Sequence, residues 1–449
     1  MGCVCESNKK ENDQILNKGG FEQYDQPNQY NLQNENPAIQ RGYETKLKQS
    51  FKKELCKSIA NSLPSRTSTT LSNLKNIMKS KTDRLSQVEK AFVIFIWISQ
   101  NIDYDANSFF AGRSVDCTPE GVFASGKSVC SGYSRLYQDI ALFLGLEVEC
   151  VSCYAKGVGY QPGDKIDSTN HEYNVIKLDG KWYPIDATWG AGHIEGKDYI
   201  RQFTEFYFLS DPNLLIKTHF PEDDRWQLGD RKYTFEEFLA WPQVKEKFNI
   251  YGFYKYYPEQ GLIKLNGSNS LKFYLYAKDM NKVDVSCEVY LLQNNCFHQQ
   301  LNLSLINKYE DKFEITCLLN RKGKYKIQLF GNDDGSTHFS DIMEYTVEVN
   351  QDARNELKFP KLYGGASKVN IIQPLYDNLK HGQITKFKLK SSSFDQIIIA
   401  DGEWHHLDKN PQGIFEKDII IQSSPGNSVI IGYPTQSNSM SYLAAYQVN

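Results

Sequence analysis

The chain has 449 residues, enough at roughly 100–200 residues per domain for two to four domains with cores of their own. Lys and Arg total 51 against 54 Asp and Glu, and a net charge of −3 gives no basic field for a phosphate backbone, which excludes nucleic acid as the main partner. With 40% hydrophobic and 13% aromatic residues, the sequence is too apolar for disorder throughout and suits folded domains with many strands.

The N-terminus, Met1-Gly2-Cys3-Val4-Cys5, resembles the signal for myristoylation of Gly2 with palmitoylation of neighbouring cysteines, two acyl chains being what stable anchoring requires. Gly2, Cys3 and Cys5 are therefore the candidate lipidation sites, although Glu6 stands where that signal carries Ser or Thr. Residues 1–42 are rich in Asn and Gln with few aliphatic side chains and predict a flexible tether. No apolar leader follows Met1, so the expected location is the cytoplasm, at the inner face of a membrane, with the cysteines as thiols. The longest apolar run, Ala91 to Ile98, has eight residues, against about 20 for a bilayer span, so a lipid anchor is the one expected membrane attachment.

Order is expected to begin near residue 43. The segments KLKQSFKKELCKSIANSL and DRLSQVEKAFVIFIWISQNIDYD read as packing helices, with Val88, Ala91, Phe92 and Phe95 at helical spacing. Another helix opens at Ser128-Val129-Cys130-Ser131-Gly132-Tyr133, carries Tyr133, Leu136, Tyr137, Ile140, Phe143 and Leu144 on one face, and closes at Gly145 as a C′ residue. Cys130 thus falls at a helix N-terminus, where free N–H groups and the positive end of the dipole favour a thiolate. Taken alone, the same position also suits a small buried apolar side chain. Cys150 and Cys153, the one Cys-x-x-Cys, lie in an expected strand where i and i+3 face opposite ways and lack a partner pair, so they are not read as a metal or redox site.

From His171 to Trp189 the sequence alternates about Asp179-Gly180, the strongest short hairpin signal. Pairing Leu178 with Lys181 sets Lys177 against Trp182, Asn174 against Ile185, Tyr173 against Asp186 and His171 against Thr188. His171 and Asp186 are then diagonal neighbours on one face, close enough for the carboxylate to fix the imidazole and leave its other nitrogen for a thiol. His193, His219, His405 and His406 have no hairpin-placed aspartate and read as structural or solvent-facing.

At these residues the chain resembles the transglutaminase-like superfamily of papain-like cysteine enzymes, and within it the kyphoscoliosis-peptidase group. The likeness covers about residues 85–245 and rests on the Cys-His-Asp order in GKSVCSGYSRLYQDIALFLGL and NHEYNVIKLDGKWYPIDATWG. The resemblance implies Cys130 as nucleophile, His171 as base and Asp186 as orienting acid. It also implies acyl transfer or hydrolysis at protein amides through a thioester, with no cofactor. The family commonly has an aliphatic-Trp pair after the histidine, where this chain has Glu172-Tyr173. The oxyanion is expected at the N–H of Cys130; an upstream tryptophan supplies a second donor in some relatives, which makes Trp97 a candidate, against a core role in its apolar helix. Asp103 and Asp105 are too few for a dedicated calcium site, and no metal is called for. A peptide N-glycanase on the same core is disfavoured because its paired Cys-x-x-Cys zinc site is missing.

From about 250 the period changes to two. LKFYLYAK, VDVSCEVYLL, KFEITCLL, GKYKIQLFG and MEYTVEVN alternate, with Val283, Val285, Cys287, Val289 and Leu291 on one face. KVNIIQP, QITKFKLKS, FDQIIIADG, KDIIIQ and NSVIIGY follow. The expected fold class is α+β: a papain-like transglutaminase core over 43–248, then two all-β immunoglobulin-like sandwich domains over 249–352 and 358–449. The expected partners are a protein substrate and cytoskeletal or membrane-associated proteins. The alternative is a non-catalytic scaffold of the same fold.

Overall fold

The computed structural model describes residues 47, 48, 51–266, 270–294, 296–333, 335–435 and 439–449; the tether and its candidate lipidation sites Gly2, Cys3 and Cys5 lie outside them. The chain forms two compact units, one of residues up to Val158 with Ile166–Thr234, the other of Gly159–Lys165 with Phe235–Asn449. The segment from Phe235 to 248, read from the sequence as part of the core, thus belongs with the β-rich unit. Its strand Gln243–Val244 pairs with strand Ser340–Val349, and that ladder draws it across.

In the first unit, helices α1 (Lys53–Asn61), α2 (Leu71–Thr82) and α3 (Gln87–Asn101) precede a short strand β1 (Asp103–Tyr104). A capping box starts α3, with Ser86 Oγ accepting from Glu89 N and the Glu89 carboxylate accepting from Ser86 N. Every residue from Ala91 to Ser99 is buried, so α3 is a central helix apolar on all sides rather than an amphipathic one. Phe92 and Phe95 meet the ring of Phe208 at 4.7 and 5.4 Å.

Helix α4 (Pro119–Ser125) and strand β2 (Lys127–Ser128) lead into α5 (Cys130–Phe143). The face predicted for α5 is the buried one at Tyr133, Leu136, Tyr137, Ile140 and Leu144, while Phe143 is 37% exposed. Tyr137 donates its hydroxyl to Ala91 O and Tyr133 to Ile102 O, which ties α5 to both ends of the stretch around α3. Gly145 ends the helix with φ +80°, a left-handed conformation that costs glycine nothing.

Behind α5 lies a four-stranded antiparallel sheet of β3 (Glu147–Ala155), β4 (His171–Leu178), β5 (Lys181–Ile185) and β6 (His219–Pro221), in the order β5-β4-β3-β6. Asp179 and Gly180 both have positive φ, 48° and 78°, as a two-residue type I′ turn requires. The ladder pairs Leu178 with Lys181, Lys177 with Trp182 and Asn174 with Ile185, the register read from the sequence.

The second unit is β-rich and has two apolar clusters. One, spanning residues 244–349, lies between two sheets, the first ordered Phe253–Tyr257, Ser270–Ala277, Phe313–Leu318, Ser304–Lys308, the second Leu262–Leu265, Ser340–Val349, Gly323–Asp333, Val283–Gln293, Cys296–Gln300. Val283, Cys287, Val289 and Leu291 face this core, with Val285 half-buried at its margin, as the alternation predicts. The other cluster fills a second pair of sheets built from residues 361–447 and takes in Leu305 and Leu318 from the preceding sandwich. Among the described residues, no helix is long and apolar enough to cross a membrane.

Candidate active site

Cys130 is the first residue of α5, and Val129 before it is extended and offers no side-chain cap. The Gly132 and Tyr133 N–H groups turn back to Val129 O, and the positive end of the helix dipole lies at the thiol. The approach to the turn is fixed by β2, which runs parallel to β1 with Tyr104 beside Ser128, and by Asp105 N donating to Ser128 O at 2.9 Å. Gly132 permits this packing, since a Cβ there would lie 2.0 Å from Ser128 Oγ.

His171 opens β4 directly across from Cys153 of β3. The hairpin ladder stops at Asn174–Ile185, so the expected pairs of Tyr173 with Asp186 and His171 with Thr188 do not form. Asp186 instead becomes the N-cap of helix α6 (Ala187–Ala191), its Oδ1 accepting from Thr188 N and Trp189 N at 2.8 and 2.9 Å. Its Oδ2 lies 2.7 Å from His171 Nε2. The carboxylate thus reaches the imidazole by capping a helix rather than by extending the strand. With Nε2 taken, Nδ1 is the nitrogen left for the Cys130 thiol, which lies near enough for its charge to act on His171. The three residues singled out from the sequence, Cys130, His171 and Asp186, are brought into one site, with the hydrogen bond between His171 and Asp186 at its centre.

The charges of this site sustain one another. Burial would push the His171 proton off, but the Asp186 charge, the Cys130 sulfur and the hydrogen bond to Asp186 outweigh it and hold the imidazolium up to about 10. Burial would likewise favour a neutral Asp186, yet the charge of His171 and hydrogen bonds from His171 and His219 keep its carboxyl well below the usual range. His171 and Asp186 have side chains only 7% and 1% exposed, so water screens their attraction little.

His219, set aside in the sequence as structural or solvent-facing, belongs to this site. It is buried on β6, across from Ala155 of β3, and its Nε2 lies 3.1 Å from the same Asp186 Oδ2. Its ring also packs on Trp189 at 4.3 Å and on Tyr173 at 5.7 Å. No local motif marked it: β6 is three residues long and joins β3 at a separation of more than sixty positions in sequence.

Trp97 is not an oxyanion donor. It is 1% exposed, and its indole N–H donates to Pro64 O at 3.1 Å, the core role that its apolar helix predicted. Glu172, where the family commonly has an aliphatic residue, lies on the face of β4 opposite His171 and accepts from Ser134 Oγ of α5. Cys150 and Cys153 point to opposite faces of β3: Cys150 donates to Gln138 Oε1 of α5, while Cys153 is fully buried on the His171 side and burial pushes its thiol far up. Asp103 pairs with Arg201, and Asp105 caps the short helix Ala106–Phe110. His193 lies in a small hairpin of Gly192–Glu195 with Asp198–Arg201, and His405 and His406 on strand Glu403–Asp408 of the second unit. Among the described residues, His171, Asp186 and His219 have ligand atoms close enough for a cation, but these same atoms are spent on one another in the two hydrogen bonds at Oδ2.

The sequence model of the transglutaminase-like superfamily matches residues 73–187, and that of the KY-like, immunoglobulin-like domain matches residues 235–360. The chain is 28% identical over 269 residues to the kyphoscoliosis peptidase of Mus musculus, covering 59% of this chain and 39% of that protein. It is 28% identical over 271 residues to the kyphoscoliosis peptidase of Homo sapiens, again over 59% of this chain and 39% of the relative. Drosophila melanogaster hillarin is 31% identical over 181 residues, 37% of this chain and 22% of hillarin. The protein therefore has a transglutaminase-like core followed by a β-rich region with an immunoglobulin-like domain, and it resembles the kyphoscoliosis-peptidase group. It spans about two fifths of the length of the peptidases it matches. His219 lies beyond the residues matched by the superfamily model.

The ion pair fixes a pH dependence of stability. His171 holds its proton to about 10 when folded, against 6.5 otherwise, so its contribution is complete below 6.5 and is lost as pH rises toward 10. Asp186, shifted down, contributes above the ordinary carboxylate range and loses its share on acidification. In urea unfolding, the stability gap between wild type and His171→Ala is expected to narrow as pH rises from neutral toward 10; a gap constant over that range contradicts the pairing.

Proposed function

We propose that the protein is a cysteine-dependent acyltransferase or hydrolase of protein amides, working through a thioester on Cys130. The observation that carries this reading is the buried hydrogen bond of 2.7 Å between His171 and Asp186, with Cys130 at a helix start near enough to act on the same imidazole. A helix start that favours the thiolate and a buried carboxylate that favours the imidazolium are the two requirements of an activated thiol.

In the first half-reaction the Cys130 sulfur attacks the amide carbonyl carbon, and the electron pair of the C=O bond moves to oxygen. The N–H of Cys130 faces that oxyanion at the helix start. As the intermediate collapses, His171 passes its Nδ1 proton to the leaving nitrogen, which departs as ammonia from a glutamine side chain or as an amine from a peptide bond. In the second half-reaction His171 takes a proton from water or from a lysine amine, which attacks the thioester and releases the thiolate. Asp186 stays ionised throughout and stabilises the imidazolium. The protein substrate, and cytoskeletal or membrane-associated partners for the β-rich region, belong to this proposal.

Incubation with glutamine-containing peptides, with and without a primary amine, should release ammonia and leave a thioester on Cys130 detectable by mass spectrometry. Cys130→Ala should abolish both. Full rescue of a deletion strain by Cys130→Ala would instead favour the scaffold reading and overturn this one.

We further propose that Gly2, Cys3 and Cys5 carry acyl chains that hold the protein at the cytoplasmic face of a membrane. Membrane fractionation is expected for the wild type and loss of it for Gly2→Ala; a wild-type protein wholly in the soluble fraction contradicts the anchor.

A further inference from the structure

The two oxygens of Asp186 have different work. Oδ1 is held by the main-chain N–H groups of Thr188 and Trp189, so the plane of the carboxylate is set without help from any side chain. Oδ2 meets two imidazoles, His171 at 2.7 Å and His219 at 3.1 Å, with their rings 5.2 Å apart and inclined at 67°. The nitrogen of His219 that faces the carboxylate carries the proton, and its Nδ1 lies 2.8 Å from Thr218 Oγ1, whose single hydroxyl proton can go to this nitrogen or to Leu215 O at 3.2 Å. A neutral His219 is satisfied at both nitrogens when that proton takes the shorter of the two contacts. Burial and the charge on His171 lower its affinity for a second proton, the opposite of the shift at His171. The other titratable groups around this carboxylate, Tyr104, Tyr173 and Cys153, are kept neutral because burial pushes each of them far up.

We propose that His219 is a positioning residue acting through Asp186: by filling the second lone pair of Oδ2 with a neutral N–H, it sets how much of the carboxylate's charge is left for His171. The proposal rests on the acyl-transfer reading, in which His171 must give its proton to a leaving amine. A buried carboxylate devoted wholly to His171 would hold that proton too tightly, because a general acid works best when its pKa lies near the working pH. Orientation of Asp186 does not require His219, since the start of α6 already supplies it.

The test is NMR of protein labelled at its histidines. In the wild type at neutral pH, His171 should be doubly protonated and His219 neutral with its proton on Nε2; a cationic His219, or one protonated on Nδ1, overturns the proposal. In His219→Phe, which keeps a ring against Trp189 but no donor, the alkaline inflection of His171 should rise by about half a pH unit or more. In His219→Gln, whose amide N–H reaches the same oxygen, it should return to the wild-type value. Equal inflections in the Phe variant and the wild type also overturn it. If the Phe variant does not fold, the wild-type tautomer still decides. Failure of the acyl-transfer reading shows differently, as a Cys130 whose reactivity ignores His171, and leaves the His171 titration readable.

Discussion

The Asp186 carboxylate is the constraint on which the site depends. It is 1% exposed and accepts four hydrogen bonds, two from the main chain that begins α6 and two from imidazoles. A carboxylate so deeply buried is tolerable only because those donors replace water. The same burial makes its charge felt strongly by His171, which is why one residue can act as helix cap, as structural anchor and as electrostatic partner of the base.

The surrounding fold works to present the thiol to that pair. Helix α5 is tied to α3 by the Tyr137 hydroxyl and packs on the β3–β4 sheet, so its N-terminus is held beside His171 by core contacts rather than by loops. The short parallel pairing of β1 with β2 sets the path of the chain into Cys130, and Gly132 lets α5 close on Ser128. Helix start, hairpin and cap therefore come from three local structures that share one hydrophobic core, the arrangement expected where reacting groups sit on rigid elements.

Much of this was legible in the sequence. Cys130 was placed by helical periodicity, and His171 and Asp186 by the Asp179-Gly180 turn, whose register fixes which face each side chain takes. Asp186 is found for a reason partly different from the real one: the expected pairing runs three residues too far, to His171 and Thr188, and Asp186 reaches His171 from a cap. The capping signal, an aspartate before Ala-Thr-Trp, is local and was available. His219 was not legible because its position comes from a long-range β3–β6 pairing that no short pattern encodes. The end of the core was misplaced for a similar reason, since residues 243–244 pair with a strand about a hundred positions later. In the β-rich region, alternation alone placed the inward faces, because a period of two has only two registers and burial selects one.

The claim that Cys130 and His171 form a thiolate–imidazolium pair is tested most directly by the rate at which each cysteine is alkylated as pH is varied, read by peptide mass spectrometry in wild type and His171→Ala. The account requires Cys130 to react far faster than Cys117 or Cys150 below neutral pH, and to lose that advantage when the imidazole is removed. A Cys130 as slow as the other thiols, or one indifferent to His171→Ala, would contradict it.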